Sequence, residues 1–334
     1  MLAAVCRRWG ENTCRVHYPQ VTSPILATSG SALKKLVGSI CALATPFRGD
    51  ALDLDAFARL IDYQLDGGTQ ALVVAGSTGE AHALEQTEFD RLLAFALERA
   101  NGRVPVLAGT GTANTRKTIT ATRRAQSIGA DAALVVTPYY VRPTQQGLHQ
   151  HFAAVADEGR LPVVLYNVPS RTGCDLLPET VAELATHEGI VGIKEARSEA
   201  ERVAALVTLK NPHFSVLSGD DPTCARAMLD GADGVISVAA NVAPAALRGV
   251  CDAAIAGDTA HALARDARLA DLYTLLGVEP NPIPVKWCLH ELGFGAAEPR
   301  LPLLPLGQVH HAKARGVLHA LQLSAIQAAH SSAA

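Results

Sequence analysis

The sequence predicts an α/β fold, a (β/α)8 TIM barrel with additional C-terminal helices. Eight short apolar runs recur at spacings of about 20 to 35 residues, and polar loops and amphipathic helical patterns lie between them. The runs are continuously apolar rather than alternating, which is typical of parallel strands covered on both faces. Because eight units are present rather than five or six, a closed barrel is favoured over the alternative, an open doubly wound sheet.

The predicted strands and helices follow one another in this order from Ser39 onward. The strands are Ser39–Thr45, Ala71–Ala75, Pro105–Gly109, Ala132–Val136, Val163–Tyr166, Val191–Glu195, Phe214–Gly219 and Gly234–Val238. The clearest helices between them are Asp53–Leu65, Thr87–Arg99 and Thr115–Ile128. The first of these helices has an apolar stripe, with Asp53 as its N-cap and Gly67 as its stop signal.

The chain divides into three parts. Residues 38–240 form the barrel, and residues 241–334 form a helical region packed on it, with helices at Ala243–Ile255, His261–Leu276, Pro284–Leu292 and Val309–Ala328. Residues 1–37 carry five basic residues and one acidic residue and have no sustained periodicity. We expect them to be an N-terminal extension that is disordered or results from a start codon assigned too far upstream. An organellar transit peptide is the alternative.

Composition excludes several classes of partner. The net charge of −3 and the pI near 6.5 argue against nucleic acid and anionic membranes. No apolar run reaches the roughly 18 residues of a membrane span. Seven scattered cysteines without a Cys-x-x-Cys pair predict reduced thiols in the cytoplasm, and mostly isolated histidines predict no metal site.

Lys194 is the strongest candidate for chemistry. It ends the apolar run that begins at Gly189, where an ammonium is costly to desolvate and burial favours the neutral amine. A neutral amine attacks carbonyl carbon, so this position suits a Schiff-base lysine. The alternative is a strand-end lysine whose ammonium reaches solvent. Its neighbour Glu195 alternates to the opposite face of the strand, where a structural role among the helices is expected.

Further polar residues follow other predicted strands. The loop Gly76–Glu80 offers two glycines, the hydroxyls of Ser77 and Thr78, and a helix that begins shortly after, all of which suit a carboxylate or phosphate. The alternative is an ordinary helix cap. Tyr140 and Tyr166 are candidates for proton transfer or, alternatively, for packing.

Arg171 offers a planar fork to a carboxylate, and a surface ion pair is its alternative role. Together these residues suit aldol-type chemistry on a 2-oxo acid. The lysine forms an imine with the keto carbon, and the protonated imine then accepts electrons as a proton is lost, so neither a metal nor a cofactor is required.

With these residues in view, the sequence resembles the dihydrodipicolinate synthase family, within the pyruvate-lyase group that includes N-acetylneuraminate lyase. The resemblance extends from about Gly38 to the C-terminal region. It rests on the motifs Gly76–Glu80, Val136–Tyr140, Leu165–Thr180, Gly192–Ala196, Leu217–Asp221 and Val278–Lys286. It implies that pyruvate bound to Lys194 condenses with L-aspartate 4-semialdehyde, the first committed step of diaminopimelate and lysine synthesis.

The same resemblance implies a role for each site residue. Tyr166 is the proton donor and acceptor near the imine, and Ser77 and Tyr140 complete a relay to solvent. Since Tyr140 typically reaches into a neighbouring subunit in this family, a homo-oligomer is expected, usually a dimer of dimers. The substrate contacts implied are Thr78 with the pyruvate carboxylate, Arg171 with the aldehyde's carboxylate, and the backbone at Gly219 and Ile236.

Ser77 departs from the family, which usually has threonine there. The hydroxyl survives, but serine lacks the methyl group that restricts χ1. Sialate lyases also carry serine at this position, whereas they lack the arginine at 171. Two alternatives therefore stay open: another pyruvate-dependent aldolase acting on sialate or a 2-keto-3-deoxy-sugar acid, and a non-catalytic barrel that binds 2-oxo acids.

The second departure concerns feedback by L-lysine. In lysine-inhibited members an interface site holds the amino acid with a glutamate, polar groups and histidine. Here Lys117 stands in place of that glutamate, Gln86 and Phe89 replace two histidines, and Ala113 replaces an asparagine. Since a cation facing the ligand's ammonium is unfavourable, the resemblance predicts weak or absent inhibition by L-lysine.

Overall fold

A closed barrel of eight parallel strands forms the centre of the protein. The computed structural model describes residues 33–323, which belong to one compact unit. In chain order the strands are β1 (Gly38–Ala42), β2 (Phe47–Arg48), β3 (Ala51–Leu52), β4 (Ala71–Val74), β5 (Val106–Gly109), β6 (Ala132–Val136), β7 (Val163–Asn167), β8 (Ile190–Glu195), β9 (Ser215–Ser218) and β10 (Gly234–Ser237). β1 pairs with both β4 and β10, which closes the barrel, while β2 and β3 form a separate antiparallel hairpin.

Helices follow the barrel strands and continue beyond the last one. They are α1 (Leu54–Asp66), α2 (Gln86–Ala100), α3 (Thr115–Ile128), α4 (Gln145–Gly159), α5 (Pro169–Thr172), α6 (Pro178–Leu184), α7 (Ala200–Val207), α8 (Cys224–Leu229), α9 (Pro244–Ile255), α10 (Thr259–Ala267), α11 (Ala270–Leu276), α12 (Ile283–Glu291) and α13 (His311–Ala320). Asp53 caps α1 as predicted, its side chain accepting from the amide of Ala56.

All eight predicted barrel strands are confirmed, with ends that differ by no more than a few residues. The hairpin of β2 and β3 was not predicted, because two-residue strands are too short to show a period. It is stabilised by burial of Phe47 and by a salt bridge of 3.0 Å between Arg48 and Asp53.

The prediction of one helix over His261–Leu276 is wrong. The chain forms α10 and α11, separated at Arg268 and Leu269. The amides of these two residues bond to the carbonyls of Arg265 and Asp266, three residues back, so the turn tightens. Leu269 is thereby buried, at 1% exposure. The last helix ends at Ala320, and the predicted extension over residues 324–328 lies outside the described residues.

Two apolar layers hold the barrel together. One fills its interior and includes Ile40, Val73, Leu107 and Leu217, while a larger layer lies between the strands and the helices. Since each strand is buried on both faces, its sequence is continuously apolar, and this is why the strands could be recognised. Polar side chains concentrate at the carboxyl ends of the strands, where barrel enzymes carry their sites.

The helices that follow β10 pack on the barrel and on one another. α9 contacts β1 and α10, and α11 contacts α12 and α13. The boundaries at residues 37/38 and 240/241 stay predictions, and residues 1–32 lie outside the described residues. Across the described residues, 33–323, no helix has the length and apolar character needed to cross a membrane.

Candidate active site

Lys194 lies buried at the end of β8, with 5% of its surface exposed. The register of β7 and β8 sets it opposite Tyr166, and its Nζ is 4.3 Å from the centre of that ring. Gly219, after β9, makes room for it: a Cβ at this position would lie 3.0 Å from Lys194 Cε. The alternative of a lysine that reaches solvent is therefore wrong.

Two buried acidic groups are close enough to feel the charge of Lys194. The pKa values of Cys41 and Asp221 are both raised, chiefly by burial, and the nearby Lys194 only partly opposes these shifts. Asp221 accepts from the amides of Val238 and Ala239 at 3.1 and 2.8 Å. The sequence alone predicts no role for either residue. Asp221 ends the motif Leu217–Asp221, on which the family resemblance partly rests, and this motif is the sequence signal that could have identified it.

The loop after β4 presents Ser77 and Thr78 at the barrel mouth. Thr45 Oγ1 donates to the carbonyl of Gly79 at 2.7 Å, and the amide of Glu80 donates to the carbonyl of Ser77 at 3.2 Å. Glu80 has a left-handed backbone with φ of 54°, so the chain reverses sharply here. The loop is therefore held by a bond of its own and by a bond from Thr45, which follows β1.

The predicted contribution of a helix dipole to this loop is wrong. A 3₁₀ turn over Ala81–Ala83 follows the loop, and α2 begins only at Gln86. Because the dipole effect falls off within one turn, α2 adds little at Ser77. Hydroxyl and amide groups of the loop itself are left as anion partners.

A cavity of about 470 Å³ opens above this loop. Among the predicted site residues, Ser77, Tyr166 and Arg171 line it, and Asn281 lines it as well. Thr78, Lys194, Gly219 and Ile236 are not part of its wall; Thr78 is linked to it through Asn281, whose Nδ2 donates to Thr78 Oγ1 at 3.0 Å. Ile236 and Tyr166 both belong to the apolar interior of the barrel.

Arg171, in the short helix α5, lies on the rim of the cavity. One guanidinium nitrogen, Nη2, donates to the carbonyl of Asn281 at 3.0 Å, and the side chain is exposed. Within residues 33–323, Arg171 forms no salt bridge, so the alternative of a surface ion pair is not supported there. The remaining nitrogens are able to bind a carboxylate.

Tyr140 does not join the other site residues within one chain. It is 90% exposed, has a left-handed backbone with φ of 71°, and donates its amide to the carbonyl of Thr172 at 3.2 Å. Its neighbour Tyr139 lines the cavity instead. Backbone strain and an almost fully exposed aromatic ring are both uncommon at protein surfaces, so their combination at Tyr140 indicates a functional position.

Glu195 faces away from the barrel interior, as alternation predicts. It accepts hydrogen bonds from Asn167 Nδ2 and from the amide of Arg197. Burial raises the pKa of Glu195 to about 7, although these bonds oppose the shift. Arg202 Nε lies 3.8 Å from the carboxylate, which is too far to offset the burial fully.

Two of the four residues connected with lysine feedback line this cavity. Gln86 and Phe89 are in its wall, whereas Lys117 is exposed near the start of α3. Across the described ranges, no cluster of three or more His, Cys, Asp or Glu side chains is arranged to hold a metal ion.

Comparisons with known proteins agree on one family. The model of the dihydrodipicolinate synthetase family matches residues 35–321. The 4-hydroxy-tetrahydrodipicolinate synthase of Xanthomonas axonopodis pv. citri is 64% identical over 82% of this chain and 91% of that protein. Its namesake from Stenotrophomonas maltophilia is 59% identical over 84% of this chain and 94% of that protein.

The structural comparison gives the same result. A chloride-inhibited dihydrodipicolinate synthase from Acinetobacter baumannii, solved with pyruvate, superposes with a TM-score of 0.85 at 43% identity. The alignment covers 86% of this chain and all of the other. The chain therefore belongs to the dihydrodipicolinate synthetase family.

Proposed function

We propose that the protein is a lyase that condenses pyruvate with L-aspartate 4-semialdehyde to give 4-hydroxy-tetrahydrodipicolinate, in diaminopimelate and lysine synthesis. The observation that carries the proposal is the buried Lys194 with its Nζ 4.3 Å above the Tyr166 ring, beneath a cavity whose rim holds Arg171. Among the described residues, the buried cysteines are free thiols, which supports a reaction in a reducing compartment such as the cytoplasm.

The chemistry begins at the lysine amine. Lys194 Nζ adds to C2 of pyruvate, and loss of water leaves a protonated imine. This imine withdraws electrons, so a proton leaves C3 and an enamine forms. Tyr166, whose ring centre lies 4.3 Å from Nζ, carries the proton. The enamine carbon then adds to the aldehyde carbon of the second substrate. Attack of that substrate's amine on the imine carbon closes the ring and frees Lys194.

The remaining residues bind substrates or move protons. Thr78 binds the pyruvate carboxylate: because its oxygen accepts from Asn281, its own proton is free to donate. Backbone groups at Gly219 and Ile236 complete the pyruvate pocket. Ser77 and Tyr140 link Tyr166 to solvent.

The relay requires a second copy of the chain. Tyr140 projects from the surface and is 90% exposed, which supports a homo-oligomer in which this residue enters the neighbouring site. A dimer of dimers is the expected assembly. Sedimentation of the full chain measures this directly, and Tyr140→Phe is expected to lower kcat without dissociating the oligomer, since only a hydroxyl is removed. A monomer with full activity would contradict the proposed relay.

Arg171 tests which aldehyde is used. We expect Arg171→Ala to lower kcat/KM for L-aspartate 4-semialdehyde by roughly 10² or more, since charge-assisted hydrogen bonds contribute about 1.5–3 kcal/mol each. Borohydride trapping of pyruvate on Lys194 should change little in this variant. Arg123→Ala is the matched control, because this exposed arginine of α3 pairs with Glu158 and does not line the cavity.

The same measurements on the unaltered protein identify the alternatives. If the unaltered protein traps pyruvate but does not consume the semialdehyde, it is another pyruvate-dependent aldolase, of the sialate or sugar-acid type. If the unaltered protein traps no pyruvate on Lys194, a non-catalytic 2-oxo-acid-binding barrel is the better description.

Inhibition by L-lysine is expected to be weak or absent. Lys117 would put a second cation beside the ligand's ammonium, and Phe89, Gln86 and Ala113 supply neither charge nor imidazole. The rate of condensation of pyruvate with L-aspartate 4-semialdehyde, assayed with and without L-lysine, measures this inhibition. Lys117→Glu is expected to strengthen it. An inhibition constant below the millimolar range for the unaltered protein would contradict the prediction.

A further inference from the structure

A second, polar pair stands directly behind the pair formed by Tyr166 and Lys194. In the register of β7 and β8, Tyr166 is opposite Lys194 and the next position sets Asn167 opposite Glu195. Because successive side chains of a strand alternate, the first pair faces the barrel interior and the second faces the helices. Asn167 is fully buried and Glu195 is 4% exposed.

The side-chain amide of Asn167 is fully used. Its Nδ2 donates to both oxygens of Glu195, at 3.0 and 3.1 Å, and to Asp175 Oδ1 at 2.7 Å. Its Oδ1 accepts from the amide of Leu176 at 3.0 Å. Since a backbone amide only donates and carboxylates only accept, no other orientation of this side chain satisfies all of its partners.

Two arginines balance the two carboxylates. Arg197 Nη1 donates to Asp175 Oδ2 at 2.8 Å, and the amide of Arg197 donates to Glu195 Oε1 at 2.8 Å. Arg202, which is 8% exposed, also donates to Asp175 and binds the carbonyl of Leu176 at 3.1 Å. We refer to Asn167, Asp175, Glu195, Arg197 and Arg202 as the rear clamp.

The rear clamp joins the three segments that carry the site. Asn167 follows Tyr166 on β7, Glu195 follows Lys194 on β8, and Asp175 is four residues after Arg171. A displacement of any member would therefore move a side chain that faces substrate. Reaction rates are sensitive to such shifts, since a misplacement of about 1 Å costs roughly 10²-fold.

We propose that the rear clamp is a positioning device for the imine chemistry, with Asn167 as its central residue. It holds Lys194 Nζ against the Tyr166 ring and fixes the loop that bears Arg171, without touching substrate itself. This inference rests on the proposed function, because kcat is measured for the proposed condensation. Imine formation with pyruvate, the first step of that reaction, is measured separately.

Three variants test the rear clamp. Asn167→Ala removes the shared donor, and Glu195→Gln keeps the size of the side chain while turning an NH₂ group toward Asn167. Gln64→Ala is the control, because Gln64 is also a fully buried amide, but its hydrogen-bond partners, the carbonyls of Ala240 and Asn241 and the hydroxyl of Thr69, lie outside the rear clamp. Each is measured for thermal stability, for borohydride trapping of pyruvate, and for kcat and KM.

We expect Asn167→Ala to lower both the trapping rate and kcat by about 10- to 100-fold, with a smaller change in KM for pyruvate. Glu195→Gln should show the same pattern more weakly. Gln64→Ala should lose stability but keep its trapping rate and kcat.

Equal trapping rates in Asn167→Ala and Gln64→Ala would overturn the proposal and leave the clamp a stability element. If Asn167→Ala does not fold, Glu195→Gln decides by the same comparison. If the unaltered protein traps pyruvate but consumes no semialdehyde, the proposed function fails, whereas the trapping rates still test the clamp.

Discussion

Lys194→Met is expected to abolish condensation while leaving the protein folded. Methionine keeps the unbranched stem that packs against Gly219 and Tyr166 but lacks an amine, so no imine can form. Losing a covalent nucleophile lowers kcat by orders of magnitude, and we expect a decrease of at least about 10³-fold. Because a buried amine is replaced by an apolar side chain of similar length, the melting temperature should stay close to that of the unaltered protein.

Intact mass after borohydride reduction with pyruvate is the direct measurement for this variant. The unaltered protein should gain one pyruvate-derived adduct per chain, on Lys194, and Lys194→Met should gain none. Lys210→Met serves as the control, since Lys210 is a partly exposed lysine paired with Asp233. Residual adduct in Lys194→Met, or its absence in the unaltered protein, would refute the assigned nucleophile.

Much of this architecture could be predicted because burial on both faces leaves a strong signal in sequence. Each barrel strand is a short, continuously apolar run, and Lys194 stands out as the cation that ends one of them. Short elements give no such signal. The hairpin at Phe47–Arg48 and the break at Leu269 depend on contacts with residues elsewhere in the fold, and no local period announces them.

The limits at the site have the same origin. Asp221 and Cys41 matter through their distance from Lys194, which is a property of barrel closure rather than of sequence spacing. The helix expected after Ser77 is displaced because the reversal at Glu80 leads first into a 3₁₀ turn. Asn281 hydrogen-bonds to Thr78 and Arg171, from which it is separated by 203 and 110 residues in the sequence.

A buried ion pair between Lys286 and Glu80 fixes the reversal of the chain at Glu80. Lys286 Nζ in α12 lies 2.6 Å from Glu80 Oε1, and the two side chains are 2% and 0% exposed. Glu80 Oε2 accepts from the amide of Arg300 at 2.8 Å. The face of the Phe47 ring lies 4.2 Å from Lys286 Nζ. The anchor of the loop bearing Ser77 and Thr78 is thus charged and withdrawn from water.

Glu80→Gln is expected to destabilise the protein by about 3–5 kcal/mol, the typical cost of leaving one member of a buried pair uncompensated. The melting temperature should fall by roughly 10 °C, and KM for pyruvate should rise because Thr78 is two residues away. The loss should exceed that of Arg226→Ala, which breaks an exposed pair with Asp230. Calorimetry and pyruvate kinetics measure the two effects.

The sign of the pH dependence follows from the charge left behind. Burial lowers the pKa of Lys286 and Glu80 opposes that shift, so Glu80→Gln should lower the pKa further. Between this lowered pKa and the ordinary lysine value, the unfolded chain binds more protons than the folded one, and stability therefore rises with pH. The deficit of Glu80→Gln should accordingly shrink in alkaline buffer.

The double variant Glu80→Gln with Lys286→Met separates charge from geometry. If the deficit comes from an unpaired ammonium, replacing that ammonium with an apolar side chain should recover most of the stability and remove the alkaline dependence. If the double variant is as unstable as Glu80→Gln alone, the cost lies in the backbone bond from Arg300 and in the geometry of the loop, and the ion pair is not the main anchor. Because Thr78 moves with the loop in either case, KM for pyruvate reports the geometry independently of stability.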